Sequence, residues 1–370
     1  MRPDRSCRTA FVLQGGGALG AYQAGAACAL EASGVRPDIV AGISIGAINA
    51  ALIAGNPPER RVERLATFWR RVTSASALPG MEAFGPQVAL AAGAPGFFTP
   101  RIPPAALMPP SDPARVGFYD TDPLRATLAE LVDFDLLNDG PVWLVVGAVN
   151  VGTGNFVWFD SAERRIGPEH IMASGALPPG FPPVEIDGAW FWDGGLMSNT
   201  PLARVVETRA DHQPLVIWQV DLFSARGPVP HSVWTVEARE KDIRYSSRTR
   251  AITDRTRQMH DLACALHAHA DALPEALKAH PAVAPLLDSP ARGPLTLIHL
   301  IYRAKPYETG AKDYDFSRFA MTRHWRAGEA DVARCLAHPL LAEHDPTARG
   351  MHVFDLADGQ HLKETPHDGR

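Results

Sequence analysis

The chain has 370 residues, 46% of them hydrophobic, enough for a large buried core. A formal net charge of -5 leaves no whole-chain footprint for nucleic acid. Cys7, Cys28, Cys264 and Cys335 lie too far apart to form a Cys-x-x-Cys pair, which argues against a disulfide framework or zinc site and for a reducing compartment.

The first residues run straight into a strand-like segment with no apolar signal region. The longest apolar run, Val40 to Gly55, is too short and too broken by glycine to span a membrane. Together these predict a cytoplasmic protein that can touch a membrane surface. Thr9 to Leu13 reads as a buried strand, followed by Gly15-Gly16-Gly17-Ala18-Leu19-Gly20 and a helix to about Ala32. Ile39 to Ile43 is a second strand with a helix after it, and Glu59 to Arg71 is an amphipathic helix with Leu65, Phe68 and Trp69 inward. Strand alternating with helix predicts a parallel sheet covered on both faces.

From Leu78 to Pro113 nine prolines interrupt short apolar patches such as Phe97-Phe98. Two readings stay open for this stretch, a mobile apolar lid over a lipid site or an ordered surface excursion. Thr121 to Val132 reads as a helix with Thr121 as its cap. Val142 to Val149 is a buried strand, Asn155 to Asp160 a shorter one, and Glu169 to Ala176 a brief helix. Val184 to Trp192 reads as a hairpin turning at Asp187-Gly188. Leu215 to Leu222 and Leu295 to Tyr302 are further strands.

Val236 to about Leu273 reads as a long helix. Tyr245, Ile252, Met259 and Leu266, with Leu262, form a seven-residue stripe that predicts a packing face. Residues 239–257 hold seven basic and three acidic side chains. A solvated face is the plain reading, and attraction to anionic lipid head groups the sharper one. The tail beyond Glu364 reads as frayed.

Serine-based ester hydrolysis needs an activated hydroxyl, a placed base and preorganised donors for the oxyanion. Gly42-Ile43-Ser44-Ile45-Gly46 stands between a strand and a helix, the setting of a nucleophile elbow, with Gly42 and Gly46 letting the two elements pass closely. Ser44 could otherwise be a simple helix cap. Gly15, Gly16 and Gly17 can turn their N–H groups toward an anion. The same stretch fits Gly-x-Gly-x-x-Gly, but the second strand ends in Ser44 rather than the acidic residue a dinucleotide site needs, and Asp38 reads as a turn residue. None of the fourteen histidines has a setting like that of Ser44. His260, Cys264 and His267 could share a helix face, but without a carboxylate partner they make a poor metal site. Asp193-Gly194-Gly195, after the apolar Ala189 to Trp192, is the best-aimed carboxylate. A solvated Asp-Gly turn is its plain alternative.

In order and rough spacing, the glycine loop 15–20, Gly42 to Gly46, Ala173-Ser174 with Pro178 to Val184, and Asp193-Gly194-Gly195 resemble the patatin-like phospholipases, over about residues 8–222. The resemblance implies a three-layer α/β/α sandwich with a mainly parallel sheet in residues 8–222 and a mainly helical C-terminal extension in 230–363. It implies a Ser–Asp dyad without histidine: Ser44 as nucleophile, Asp193 as base, and an oxyanion hole of Gly15, Gly16 and Gly17. Gly42, Gly46, Gly194 and Gly195 shape the two motifs. The expected substrate is a lipid or other acyl ester, with no cofactor and no metal. Transfer of the acyl group to another acceptor, thioester cleavage, or a weakly active scaffold are the competing readings. Leu19 departs from the family pattern, which often has Arg or Lys there to steady the loop.

Overall fold

The computed structural model describes residues 7–73, 85–107, 109, 112–207, 212–287, 293–303, 308, 310–355 and 363–364. The first part of the expected lid-like stretch, 78–84, and the tail beyond 364 lie outside the described residues.

Apolar, partly β-branched runs form the first two strands, β1 (Arg8–Leu13) and β2 (Ile39–Gly42). They pair in parallel through the crossover helix α1 (Gly20–Ala32). Alanine-rich α2 (Ile45–Ala54) follows β2 directly and is buried along its whole length. α3 (Pro58–Val72) presents Leu65, Phe68, Trp69 and Val72 to the core, as its sequence pattern predicts. Among its described residues the proline-rich stretch forms short elements, among them α4 (Gly85–Ala92) and the two-residue β3 (Thr99–Pro100), which pairs with β4 (Tyr119–Asp120). α5 (Asp122–Leu131) starts after Thr121, whose side chain makes no capping hydrogen bond. α6 (Phe134–Asp139) leads into β5 (Trp143–Asn150), and β6 (Phe156–Asp160) folds back antiparallel on it.

After α7 (Pro168–Ser174), β7 (Val184–Ile186) and β8 (Ala189–Asp193) make the expected hairpin. Its turn is Asp187-Gly188, both at positive φ. α8 (Leu202–Glu207) then leads to β9 (Leu215–Asp221), which pairs in parallel with β1 on the side opposite β2. β1 is thus at the centre of the sheet, and both neighbours run parallel to it.

The C-terminal part begins with α9 (Val233–Ala268), 36 residues long, capped by Ser232. Short α10 (Glu275–Lys278) and α11 (Ala284–Leu287) follow. The part is helical as expected, but it also extends the sheet. β10 (Leu295–Ile301) pairs in parallel with β9, and β11 (Met351–Asp355) with β10. Between them lie α12 (Arg318–Leu336) and α13 (Pro339–Ala342), and β12 (Lys363–Glu364) closes the edge antiparallel to β11. The result is one ten-stranded, mostly parallel sheet in the order β12-β11-β10-β9-β1-β2-β5-β8-β7, with β6 alongside β5. Helices cover both faces, giving the three-layer α/β/α architecture. α12 packs along α1 on one face: an added Cβ on Gly25 would lie 2.0 Å from the Trp325 carbonyl oxygen, and one on Gly328 would lie 2.1 Å from that of Tyr22.

α9 packs through only part of its predicted stripe: Tyr245 and Ile252 lie against the core. Met259 and Leu262 are exposed, while Thr256, His260 and Ala263 are buried. Small and polar residues allow the closer approach here, so an apolar stripe did not by itself identify the packing face.

Candidate active site

The carboxyl ends of β1 and β2 open onto one cavity of about 160 Å³, lined largely by apolar side chains. Gly15, Gly16, Gly17, Ser44, Asp193 and Gly195 all line it. The sequence-selected motifs, up to 180 positions apart, thus meet at one place.

Ser44 lies between β2 and α2 with φ 55 and ψ -123, a backbone conformation a residue with a side chain rarely adopts. Such strain costs on the order of 1–3 kcal/mol and persists only where the surroundings impose it. The surroundings do so here. An added Cβ on Gly42 would lie 2.2 Å from the Gly46 carbonyl oxygen, and one on Gly46 would lie 2.3 Å from that of Leu13. Strand and helix can therefore turn this sharply only with glycine at both positions. The Ser44 N–H donates to the hydroxyl of Ser174, the last residue of α7, at 3.0 Å.

Asp193 ends β8 opposite Ala148 of β5. Its N–H donates to the Ala176 carbonyl at 3.0 Å, and its Oδ1 accepts the Gly195 N–H at 2.7 Å. Gly194 packs against the carbonyl of Gly147, where a Cβ would come to 2.6 Å. Ser44 and Asp193 face the same cavity, and the Ser44 hydroxyl favours the ionised form of the Asp193 carboxyl. Asp193 is buried, which pushes its carboxyl up to about 7, although the bonds from Ser44 and Gly195 pull the other way. A carboxylate so tuned can exchange a proton with a hydroxyl near neutral pH.

The three loop glycines differ in what they offer. The Gly15 N–H donates to the Asn199 backbone carbonyl at 3.3 Å, so Gly15 is engaged in holding the loop. Gly16 and Gly17 have N–H groups with no acceptor among the described residues. Gly17 has φ +56 and begins a single 3₁₀ turn, Gly17–Leu19. Leu19 is fully buried and packed in the core.

Sequence reasoning missed the amides that brace this loop. Asn199 Nδ2 donates to the Gly15 carbonyl at 3.0 Å. Gln14 Oε1 accepts the Leu222 N–H at 2.6 Å, and Gln23 Nε2 donates to the Gln14 carbonyl at 2.6 Å. Asn49 links Gln23 to the Trp69 indole, with both bonds at 3.0 Å. The available signal was Asn199-Thr200-Pro201, a polar residue shortly after Asp193-Gly194-Gly195 and just before a helix. His170 sits in the first turn of α7, where its Nδ1 accepts the Gly167 N–H at 2.9 Å. His260 is buried and lies 3.1 Å from the Gly293 carbonyl through Nε2. Among the described residues no group of three or more His, Cys, Asp or Glu is arranged to hold a metal ion.

The upper wall is aromatic. Phe97, Phe98, Tyr119, Phe181 and Phe316 touch ring to ring, with centroids between 4.9 and 6.1 Å apart. Phe97 and Phe98 are buried in this wall rather than lying on the surface. The same excursion exposes Ile102 and Leu107, and the segment just after it Val116 and Phe118. Of the basic residues on α9, Arg239 donates to the Ser224 and Ala225 carbonyls, Lys241 pairs with Asp313, and Arg244 with Glu240. Those three are engaged within the protein.

A serine in a strained turn, a buried carboxylate and a glycine loop thus meet at one cavity at the carboxyl end of a mostly parallel sheet, the fold class of an α/β protein. A family model described as patatin-like phospholipase matches residues 11–206, more than half of the chain, and a second, described as patatin phospholipase, matches residues 243–347. The chain belongs to the patatin-like phospholipase family. Among solved structures it is similar to VipD from Legionella pneumophila, at 16% identity and a TM-score of 0.37, covering 88% of this chain and 67% of that one. It is also similar to the ExoU–SpcU complex from the type III secretion system of Pseudomonas aeruginosa, at 18% identity and a TM-score of 0.29, covering 88% and 69%. No curated protein matches it. Among the described residues no helix is long and apolar enough to cross a membrane.

Proposed function

We propose that the protein is a serine acyl hydrolase of lipid esters that uses a Ser44–Asp193 dyad. The observation that carries this is Ser44, held in a strained turn and sharing one cavity with the buried Asp193 carboxyl, whose proton affinity burial raises. Asp193 takes the hydroxyl proton as Ser44 Oγ forms a bond to the acyl carbon. The carbonyl oxygen becomes an oxyanion and accepts hydrogen bonds from the Gly16 and Gly17 N–H groups. As the tetrahedral species collapses, the bond to the alcohol breaks and Asp193 returns the proton to the departing oxygen. Water then attacks the acyl-enzyme, Asp193 takes its proton, and collapse releases the fatty acid and restores the Ser44 hydroxyl.

The apolar cavity supports an acyl chain as the bound group, lying against the Phe98, Phe181 and Phe316 rings. The exposed Ile102, Leu107, Val116 and Phe118 supply apolar contacts for a lipid surface near the mouth, together with Leu196 and Met197 just after Gly195. Purified protein should hydrolyse p-nitrophenyl acyl esters, with turnover lost in Ser44→Ala and in Asp193→Asn and unaffected by chelators. Full turnover in a folded Ser44→Ala variant would refute the assignment.

A further inference from the structure

The glycine loop is held from two sides, and the second holder comes from the C-terminal part of the chain. At one end Asn199 grips Gly15. At the other, the segment Lys312–Tyr314 crosses over the loop so closely that a Cβ on Gly17 would lie 2.2 Å from the Asp313 carbonyl oxygen. Asp313 and Tyr314 also line the cavity with Ser44. Leu19, buried and apolar, brings no charge of its own to fix the loop.

Two ion pairs pin that segment to α9, and their charges are crossed. Consecutive residues Lys241 and Asp242 face consecutive residues Lys312 and Asp313. Lys241 Nζ donates to both carboxylate oxygens of Asp313 at 2.9 and 3.2 Å, and to the Gly310 carbonyl at 2.7 Å. Lys312 Nζ donates to Asp242 Oδ1 at 2.6 Å. The pairs are largely shielded, with side chains between 3% and 14% exposed. The Lys241 ammonium also sits 4.8 Å from the centre of the Tyr314 ring. Burial raises the Asp313 carboxyl and Lys241 opposes that rise. Buried pairs of this kind add little net stability, but they fix one arrangement of the groups that carry them, because any other leaves a charge unpaired.

We propose that the crossed Lys241–Asp313 and Lys312–Asp242 pairs are a positioning device for the oxyanion loop, holding the Asp313 carbonyl against Gly17 and so aiming the Gly16 and Gly17 N–H groups. Lys241 and Asp313 are positioning residues: they act through the loop rather than on substrate. The functional consequence rests on the reading of Ser44 as the acylated residue. The clamp itself is a statement about the loop and is read separately.

The test uses full-length protein and three variants. Lys241→Met removes the cation, the double variant Lys241→Met with Asp313→Asn removes both charges so that none is left unpaired, and Lys241→Arg keeps the pair. Hydrogen exchange over residues 14–22 reads the clamp, and ester kinetics read its consequence. The clamp predicts that exchange in this segment rises about tenfold or more in Lys241→Met and in the double variant, and stays at the wild-type level in Lys241→Arg. It also predicts that kcat falls about tenfold or more with KM within about twofold, because the oxyanion forms only on the way to the transition state. If Lys241→Met does not fold, the double variant carries the comparison. Unchanged exchange over 14–22 in a folded double variant overturns the proposal, whatever the kinetics. Raised exchange in a protein without Ser44-dependent turnover upholds the clamp and refutes the acyl hydrolase reading instead.

Discussion

Asn199 brackets Gly15 from both sides: its side-chain amide donates to the Gly15 carbonyl at 3.0 Å, and its own backbone carbonyl accepts the Gly15 N–H at 3.3 Å. Asn199 follows the Asp193-Gly194-Gly195 turn closely in sequence, so one short loop carries the proposed base and also holds the glycine loop in place. Asn199→Ala should therefore lower kcat by about tenfold to a hundredfold with little change in KM, as the open donors lose their aim. It should also lower stability by about 1–3 kcal/mol through lost buried hydrogen bonds. Steady-state kinetics alongside a urea titration would separate the two effects, and an Asn199→Ala enzyme with wild-type kcat would show that the bracket does not serve the site.

The raised carboxyl of Asp193 sets the pH dependence of activity. Asp193 must be ionised to take the Ser44 proton, so kcat/KM should climb as pH rises through about 7 and level off above it. A profile already flat from pH 5 upward would assign the base elsewhere.

The same group makes the opposite prediction for stability. Its ordinary value is 3.8 and burial raises it to about 7, so the folded state holds the proton more tightly than the unfolded chain. Its contribution to stability is greatest below pH 3.8 and declines as pH rises toward 7, where the penalty is complete. Asp193→Asn should thus be inactive yet more stable than wild type at pH 8, by up to the order of a few kcal/mol. The gap in melting temperature should close toward pH 4. Equal gaps at both pH values would contradict a buried, proton-linked Asp193.

Close approach at the elbow predicts which glycine change costs most. Gly46→Ala would place a Cβ 2.3 Å from the backbone of β1, an element at the centre of the sheet that cannot give way. Gly154→Ala meets nothing within 4 Å, although its φ of +70 disfavours alanine. Thermal melts should show Gly46→Ala losing several kcal/mol and Gly154→Ala about 1.

The aromatic wall should set chain-length preference. Phe98→Ala removes a ring that touches Phe97, Tyr119 and Phe181 and so enlarges the cavity. Relative kcat/KM across a series of p-nitrophenyl esters should move toward longer acyl chains. An unchanged ratio of long to short esters would place the acyl chain outside this cavity.

What the sequence revealed and what it hid divide along a physical line. Gly42 to Gly46, the Asp187-Gly188 turn and Asp193-Gly194-Gly195 were legible because a sharp turn dictates residue type locally. Asn199, Gln14, Gln23 and Asn49 were not: their partners lie far along the chain, and an amide looks the same whether it braces a loop or faces water. The part of the α9 stripe that stays exposed has a similar cause. Met259 and Leu262 mark apolar surface, but the helix settles through Thr256, His260 and Ala263, which permit a closer approach. Nor did the pattern after residue 230 show that Leu295–Ile301 and Met351–Asp355 would extend the same sheet as β1, since register across such distances is set by packing.

The central claim is an activated Ser44 that depends on Asp193. A fluorophosphonate probe applied to wild type, Ser44→Ala and Asp193→Asn, each checked for folding, tests it most directly. The account predicts covalent labelling of wild type at Ser44, none of Ser44→Ala, and labelling of Asp193→Asn slowed by about a hundredfold or more. Labelling of Asp193→Asn at the wild-type rate, or of a serine other than Ser44, would contradict it.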